Sequence, residues 1–321
     1  MKDGFVKTAA GTPDIKVADC GYNCARIKAL IDKAHEQGVR VLVLPELCIT
    51  GYTCQDLFFQ QTLLDGALNA LKDITEHSAG LDMLIAVGCP LRFRGELYNC
   101  AVVMKDGKIL GVVPKKFLPN YNEFYEKRHF TAAPEGEYDI ELFGESVPFG
   151  LGLLFECRGT PELVFAAEIC EDLWAAEPPS ISLALGGATI GKDSYRRELV
   201  NSQSARLLCG YVYASAGSGE STQDLVFGGH DIIAENGIVL AESKLYSTGL
   251  TVTEIDVQKL APPQHELRGR SAPGNAPYSV RYGNKARRAY QNSAPHSVRS
   301  EYLGGDRQAL RGYPHNAGTW A

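Results

Sequence analysis

Three residues of chemically reactive types fall at the ends of apolar runs in this sequence. Glu46 closes "VLVLP", Lys115 closes "ILGVVP", and Cys170 follows "LVFAAEI" and precedes "EDLW". The cysteine poses a problem, because Glu168, Glu171 and Asp172 bracket it and nearby carboxylates hold a thiol protonated. Taken singly, each residue has a plain structural reading. Glu46 could begin a loop, Lys115 could be a solvated strand terminus, and Cys170 could be a small buried hydrophobe. Together they make a chemical device. A thiolate is a strong nucleophile, but a cysteine of ordinary pKa is mostly thiol at neutral pH. A carboxylate whose pKa is raised by burial can take its proton. A fixed ammonium can stabilise both the thiolate and the oxyanion formed when sulfur attacks an amide carbon. A buried lysine would also counter the acids around Cys170, leaving those adjacent in sequence free to face a substrate.

Presenting three such groups together requires a rigid sheet, since strand ends on a fixed scaffold hold side chains in place. The pattern supplies one. "NCARIKALIDKAHEQG" from Asn23 has helical spacing and a glycine stop, and a second helix is expected over Leu63–His77. "VRVLVLPE" and "LDMLIAVGCP" read as buried strands, as does Leu163–Ala167, with a helical pattern around Leu173 and Trp174 after it. Two hairpins should turn at Asp106-Gly107 and Asn236-Gly237, dipeptides suited to the positive φ of a two-residue turn. Buried strands alternating with amphipathic helices indicate an α/β fold with helix-covered sheets.

The blocks "LPELCITGY", "VPKKFLPNYNEFYEKRHF" and "AAEICEDLW" resemble the nitrilase, or carbon–nitrogen hydrolase, superfamily with its Glu-Lys-Cys triad. "LPNYNEFYEKRHF" and "GKDSYRRELVNSQSARLLCGYVYASAG" are similar, more narrowly, to the amino-terminal glutaminase domain of glutamine-dependent NAD+ synthetases. The resemblance implies a four-layer α-β-β-α sandwich over residues 1–261. It implies Glu46 as base, Lys115 (rather than the adjacent Lys116) as the stabilising cation, and Cys170 as nucleophile. By the same resemblance Tyr121, Glu171 and Trp174 line the substrate pocket, Glu126 is a second carboxylate near the triad, and Lys192 lies near the substrate carboxylate. The implied reaction is hydrolysis of the glutamine side-chain amide through a cysteine thioester.

Two places depart from the family pattern. "LALGGATIGKDSYRR" is short, leaving only Ala188, Thr189 and Ile190 as strand between a helix ending near Leu185 and another beginning near Asp193. A core strand is therefore expected to be missing near residue 190. After "IDVQKLAPP" the composition changes. Residues 262–321 hold eight Arg and one Lys against three acids and only five Leu, Ile, Val or Phe, so they are expected to form a basic, disordered tail. That tail reads as a truncated or frame-altered end, with the synthetase domain absent. "AGSGES" at 216–221 follows a strand and precedes no helical pattern, so it reads as a loop rather than a phosphate cradle. No ATP site is expected, and the glutaminase step needs no cofactor.

The totals exclude other classes. The chain has 321 residues, net charge -6 and no apolar run approaching the ~18 residues of a membrane span. It starts without a signal-peptide core, so no membrane role, no nucleic-acid role and a cytoplasmic location are expected. Nine scattered cysteines and seven unclustered histidines indicate reduced thiols and no metal site. His129, near the lysine block, and His230 both read as structural. The expectations are thus glutamine as substrate, a homo-oligomer, and, as alternatives, a catalytically silent oligomer-forming fragment or a stand-alone amidase.

Overall fold

In a computed structural model, residues 4–175, 183–186, 192–222, 224–260 and 278–282 are described, all within one compact unit, Met1–Ala286. In chain order the first half comprises β1 (Phe5–Thr12), α1 (Cys20–Glu36), β2 (Val41–Val43), a 3₁₀ stretch (Tyr52–Phe59), α2 (Gln61–His77), β3 (Leu84–Phe93), β4 (Glu96–Lys105), β5 (Lys108–Pro114), α3 (Glu126–His129), β6 (Glu137–Leu142) and β7 (Glu145–Gly150). The second comprises β8 (Leu153–Cys157), β9 (Val164–Phe165), β10 (Ala167–Ile169), α4 (Glu171–Trp174), β11 (Leu183–Gly186), α5 (Asp193–Leu207), β12 (Gly210–Ser215), a 3₁₀ turn (Ser218–Glu220), β13 (Ile232–Glu235), β14 (Ile238–Glu242), β15 (Gly249–Asp256), α6 (Val257–Leu260) and β16 (Tyr278–Tyr282).

The strands form sheets ordered β15-β1-β2-β3-β4-β5-β7-β6, β10-β11-β12-β13-β14 and β16-β8-β9. Strand alternation divides the core between their faces. On β4, Cys100, Val102 and Met104 join the α1 and α2 side chains Ile27, Ile31, Leu71 and Ile74 in one cluster. Ala101 and Val103 instead meet Phe155, Ile169, Val212 and Ile233 from the other sheets. On β12, Tyr211 and Tyr213 face α5 through Val200, while Val212 and Ala214 face inward. The layers therefore run α1/α2, sheet, sheet, α5, which is the expected four-layer sandwich.

Local signals account for much of this. Asp19 accepts from the Tyr22 N–H and caps α1, so the helix starts at Cys20, three residues before the reading from Asn23. Both expected hairpins form, with positive φ at Asp106 and Gly107 and at Asn236 and Gly237. The apolar run at 163–167 splits into β9 and β10 and carries on to Ile169, which places Cys170 directly between a strand and a helix.

Two expectations are corrected. The helix ending near Leu185 is replaced by β11 over Leu183–Gly186, which pairs in parallel with β10 on one side and β12 on the other. Without it the facing N–H and C=O groups of two buried strands would lack partners, a demand that outweighs local preference. The core strand expected to be missing near 190 is thus present, contributed by earlier residues; Ala188, Thr189 and Ile190 lie outside the described residues. Within the basic segment read as disordered, Tyr278–Tyr282 forms β16 and pairs in parallel with β8. Ser279 Oγ and Arg281 Nε both donate to the Glu156 carboxylate, at 2.8 and 2.9 Å, which fixes that register. The rest of 262–321 lies outside the described residues.

Candidate active site

Each reactive residue arrives by a different strand. After β2 the chain turns sharply at Pro45, Glu46 and Leu47, crossing β3 at Gly88. A Cβ at position 88 would sit 2.2 Å from Leu47 N, so only glycine lets that turn lie down on the sheet. Lys115 follows β5, and its N–H still donates to Asn99 O at 2.8 Å. Glu126 opens α3. Cys170 lies in the one-residue break between β10 and α4, at φ 47° and ψ -99°, a backbone that L residues rarely adopt. Such strain costs of order 1–3 kcal/mol and gathers at functional sites.

Glu46, Lys115 and Glu126 meet in the interior, and Cys170 is buried as well. Lys115 Nζ donates to Glu46 Oε1 and Glu126 Oε1, each at 2.6 Å, and the lysine is 0% exposed. Asn99 Nδ2 donates to Glu46 Oε1 at 2.6 Å, and the Tyr52 hydroxyl donates to Glu126 Oε1 at 2.6 Å. Among the described residues, Glu46 Oε2 and Glu126 Oε2 are buried and have no hydrogen-bond partner. Burial disfavours the Lys115 ammonium, but the negative charges of Cys170, Glu126 and Glu46 outweigh it and hold the amine protonated well above the lysine range. Burial lifts the Glu126 carboxyl to about 7 against the pull of Lys115. Burial, with Glu126, Glu46 and Cys170, keeps the Tyr52 phenol protonated, as a donor must be.

The acids around Cys170 each have other work. Glu168 accepts from the Tyr211 hydroxyl. Asp172 accepts from the N–H of Phe117 at 2.8 Å, of Lys116 at 3.2 Å and of Ile169 at 3.2 Å, tying the lysine loop to the cysteine turn. Glu171 accepts from the Tyr121 hydroxyl at 3.0 Å. Tyr121 is 48% exposed, and its ring stands edge-on to Phe124 with centroids 5.8 Å apart. Lys192 Nζ lies 5.6 Å from the Phe124 ring and 5.9 Å from that of Trp174. The residues expected at the substrate therefore form a second, more exposed group beside the first. Cys170 joins the two, directly preceding Glu171 in the chain; burial, then Glu171 and Cys170, raise the Tyr121 phenol.

Lys116 is exposed and lies over the Phe117 ring. His129 Nε2 donates to Asp56 Oδ1 at 3.1 Å, and its ring packs against Phe58 and Phe59. His230 sits between Arg196 and Glu242. The sequence reading missed Asn99, Tyr52 and Asp172. Asn99 did leave a signal, a single amide inside the apolar run "LYNCAVV". Among the described residues no three His, Cys, Asp or Glu side chains gather as a metal site needs, and no helix is long and apolar enough to cross a membrane.

Residues 7–262 match the carbon-nitrogen hydrolase family. A glutamine-dependent NAD(+) synthetase of Mycobacterium bovis is 42% identical over 270 residues, covering 80% of this chain and 40% of that protein. One from Homo sapiens is 30% identical over 275 residues, covering 78% and 38%. The chain thus spans about 40% of the length of the curated relatives it matches. Among solved structures, a glutamine-dependent NAD(+) synthetase from Cytophaga hutchinsonii aligns with a TM-score of 0.71 at 27% identity, over 80% of this chain and 44% of that one. An amidase from Nesterenkonia sp. aligns with a TM-score of 0.62 at 18% identity, over 84% and 97%, a likeness of fold. By the extent of the family match and by its layered fold, the chain belongs to the carbon–nitrogen hydrolase family.

Proposed function

We propose that this chain hydrolyses the side-chain amide of glutamine, with Cys170 as nucleophile, Glu46 as general base and acid, and Lys115 as the oxyanion-stabilising cation. The observation that carries it is Lys115, fully buried and clamped between two carboxylates beside Cys170, with one Glu46 oxygen left unpartnered among the described residues. A base needs a free lone pair, and Glu46 Oε2 has one. In the first step the Cys170 sulfur bonds to the amide carbon while Glu46 takes the thiol proton. Lys115 stabilises the negative oxygen, Glu46 returns the proton to nitrogen, and the C–N bond breaks to release ammonia. Water then adds to the thioester, giving Glu46 a proton that returns to sulfur as glutamate leaves.

Glutamine is favoured because the relatives named above are glutamine-dependent, and because Lys192 and Glu171 offer charges of both signs to an amino-acid head group. Those relatives are glutamine-dependent NAD(+) synthetases, and the step proposed here is the supply of ammonia to such a reaction. We further propose that the chain forms a homo-oligomer in the cytoplasm, and sedimentation checks the first part. The silent-fragment alternative rested on a missing core strand, and β11 occupies that place. The test is ammonia release from glutamine by the purified chain. Cys170→Ala should reduce it by roughly 10³-fold or more; undiminished release would remove Cys170 from its role.

A further inference from the structure

The glycine-rich "AGSGES" loop, assigned no chemistry above, runs directly behind the site. A Cβ on Gly219 would lie 2.3 Å from Ile15 O, so the loop can press onto the 12–17 segment only with glycine there. That close approach delivers the next residue, Glu220, into the interior, where it is 0% exposed. Its Oε2 accepts from the Tyr52 N–H at 2.7 Å, and its backbone oxygen accepts from Thr53 Oγ1 at 2.7 Å. Its Oε1 is buried without a partner among the described residues. A buried carboxyl half satisfied in this way is costly, and such a group persists where it holds something in place.

What it holds is Tyr52. The same residue whose N–H Glu220 receives sends its hydroxyl to Glu126 Oε1, and its ring stands edge-on to Phe227, centroids 5.6 Å apart. A continuous chain of bonds therefore runs from Glu220 through Tyr52 and Glu126 to Lys115 and Glu46. We propose that Glu220 is a positioning residue of the active site, fixing the Tyr52 main chain so that the Tyr52 hydroxyl holds Glu126 against Lys115. The inference rests on the reading that Glu126 and Lys115 serve Cys170. Burial also pushes the Glu220 carboxyl up to about 8, so at neutral pH it supports Tyr52 mainly in its neutral form and adds little charge near Glu46.

The test uses the whole chain and two readouts. One is kcat and KM for glutamine. The other is the rate of iodoacetamide alkylation at Cys170, read by intact mass with Cys170→Ala as background. Glu220→Ala should slow alkylation and lower kcat by roughly 10- to 100-fold, with KM within about threefold. Glu220→Gln, which keeps an acceptor for the Tyr52 N–H, should restore both to within about threefold. Tyr52→Phe should cost about as much as Glu220→Ala, and the double variant should be no worse than either. Should Glu220→Ala not fold, Glu220→Gln and Glu220→Asp carry the same comparison, since only Gln keeps the reach. A fully active Ala or Asp variant, a Gln variant as impaired as Ala, or fully additive losses would overturn the proposal. A wild-type chain that alkylates at Cys170 but releases no ammonia would sink the glutamine reading alone, and the alkylation series would still decide Glu220.

Discussion

The two groups of side chains beside Cys170 are built on opposite principles. Glu46, Lys115, Glu126, Asn99 and Tyr52 are buried or nearly so and share hydrogen bonds of 2.6 Å. Glu46 and Lys115 follow strands, Asn99 lies within β4, and Tyr52 and Glu126 open short helical segments. Tyr121, Glu171, Trp174 and Lys192 are partly exposed, come from loops and helix ends, and touch mainly through rings. On the proposed function, the contrast separates bond making from recognition. Charges that must act without reorganisation belong where water is excluded and geometry is locked. Groups that admit and release a polar amino acid belong where water can reach them.

Breaking the inner group should have the largest effect. Lys115→Met leaves Glu46 and Glu126 facing each other in the interior with no cation between them. Removing one partner of a buried ion pair costs about 3–5 kcal/mol, and loss of the oxyanion donor costs roughly 10²–10³-fold in kcat. Denaturant unfolding and ammonia release would register both. A variant that lost activity but kept full stability would show that the two carboxyls share a proton there and need no lysine to coexist.

The inner group also sets a pH dependence that the surface does not share. Burial is the largest cause raising Glu126 to about 7, Asp172 to about 6, Glu220 to about 8 and Asp231 to about 7, from ordinary values of 3.8 to 4.5. Each holds its proton more tightly folded than unfolded. The stability it contributes is therefore complete below about pH 4 and is lost as pH rises through 6 to 8. Surface Asp56 has the opposite sign, since hydrogen bonds from Arg128 and His129 lower its pKa; its contribution is present above about pH 4 and is lost as pH falls. The thermal midpoint should fall between about pH 5.5 and 8.5, and Glu220→Gln should flatten the upper part of that fall. A midpoint that rose across the range would mean the buried acids are ionised and paired.

The same division governs what could be read from the sequence. Strand ends, hairpin turns and the two long helices rest on periodicity and on dipeptides such as Asp106-Gly107, signals contained in a few neighbouring residues. So do the positions of Glu46, Lys115 and Cys170. The bonds that complete the site span far more chain: 53 residues from Asn99 to Glu46, 74 from Tyr52 to Glu126 and 168 from Glu220 to Tyr52. No local pattern encodes those pairings. β11 was misread for a related reason. "SISLALGG" has no strong preference of its own, and the open edges of β10 and β12 decide its conformation.

The mildest change should come from the outer group, and it sharpens the division most. Lys192 makes no ion pair among the described residues and lies over two rings, so Lys192→Met should alter stability by less than about 0.5 kcal/mol. If it meets the carboxylate of glutamine, the substitution should raise KM by roughly tenfold with kcat within about threefold, the pattern of a group that binds ground and transition states alike. A simple amide such as acetamide, which has no carboxylate to meet it, should be turned over equally well by both forms. A fall in kcat with both substrates would instead place Lys192 with the inner group, acting on the reacting amide, and the boundary between recognition and chemistry would have to be drawn outside it.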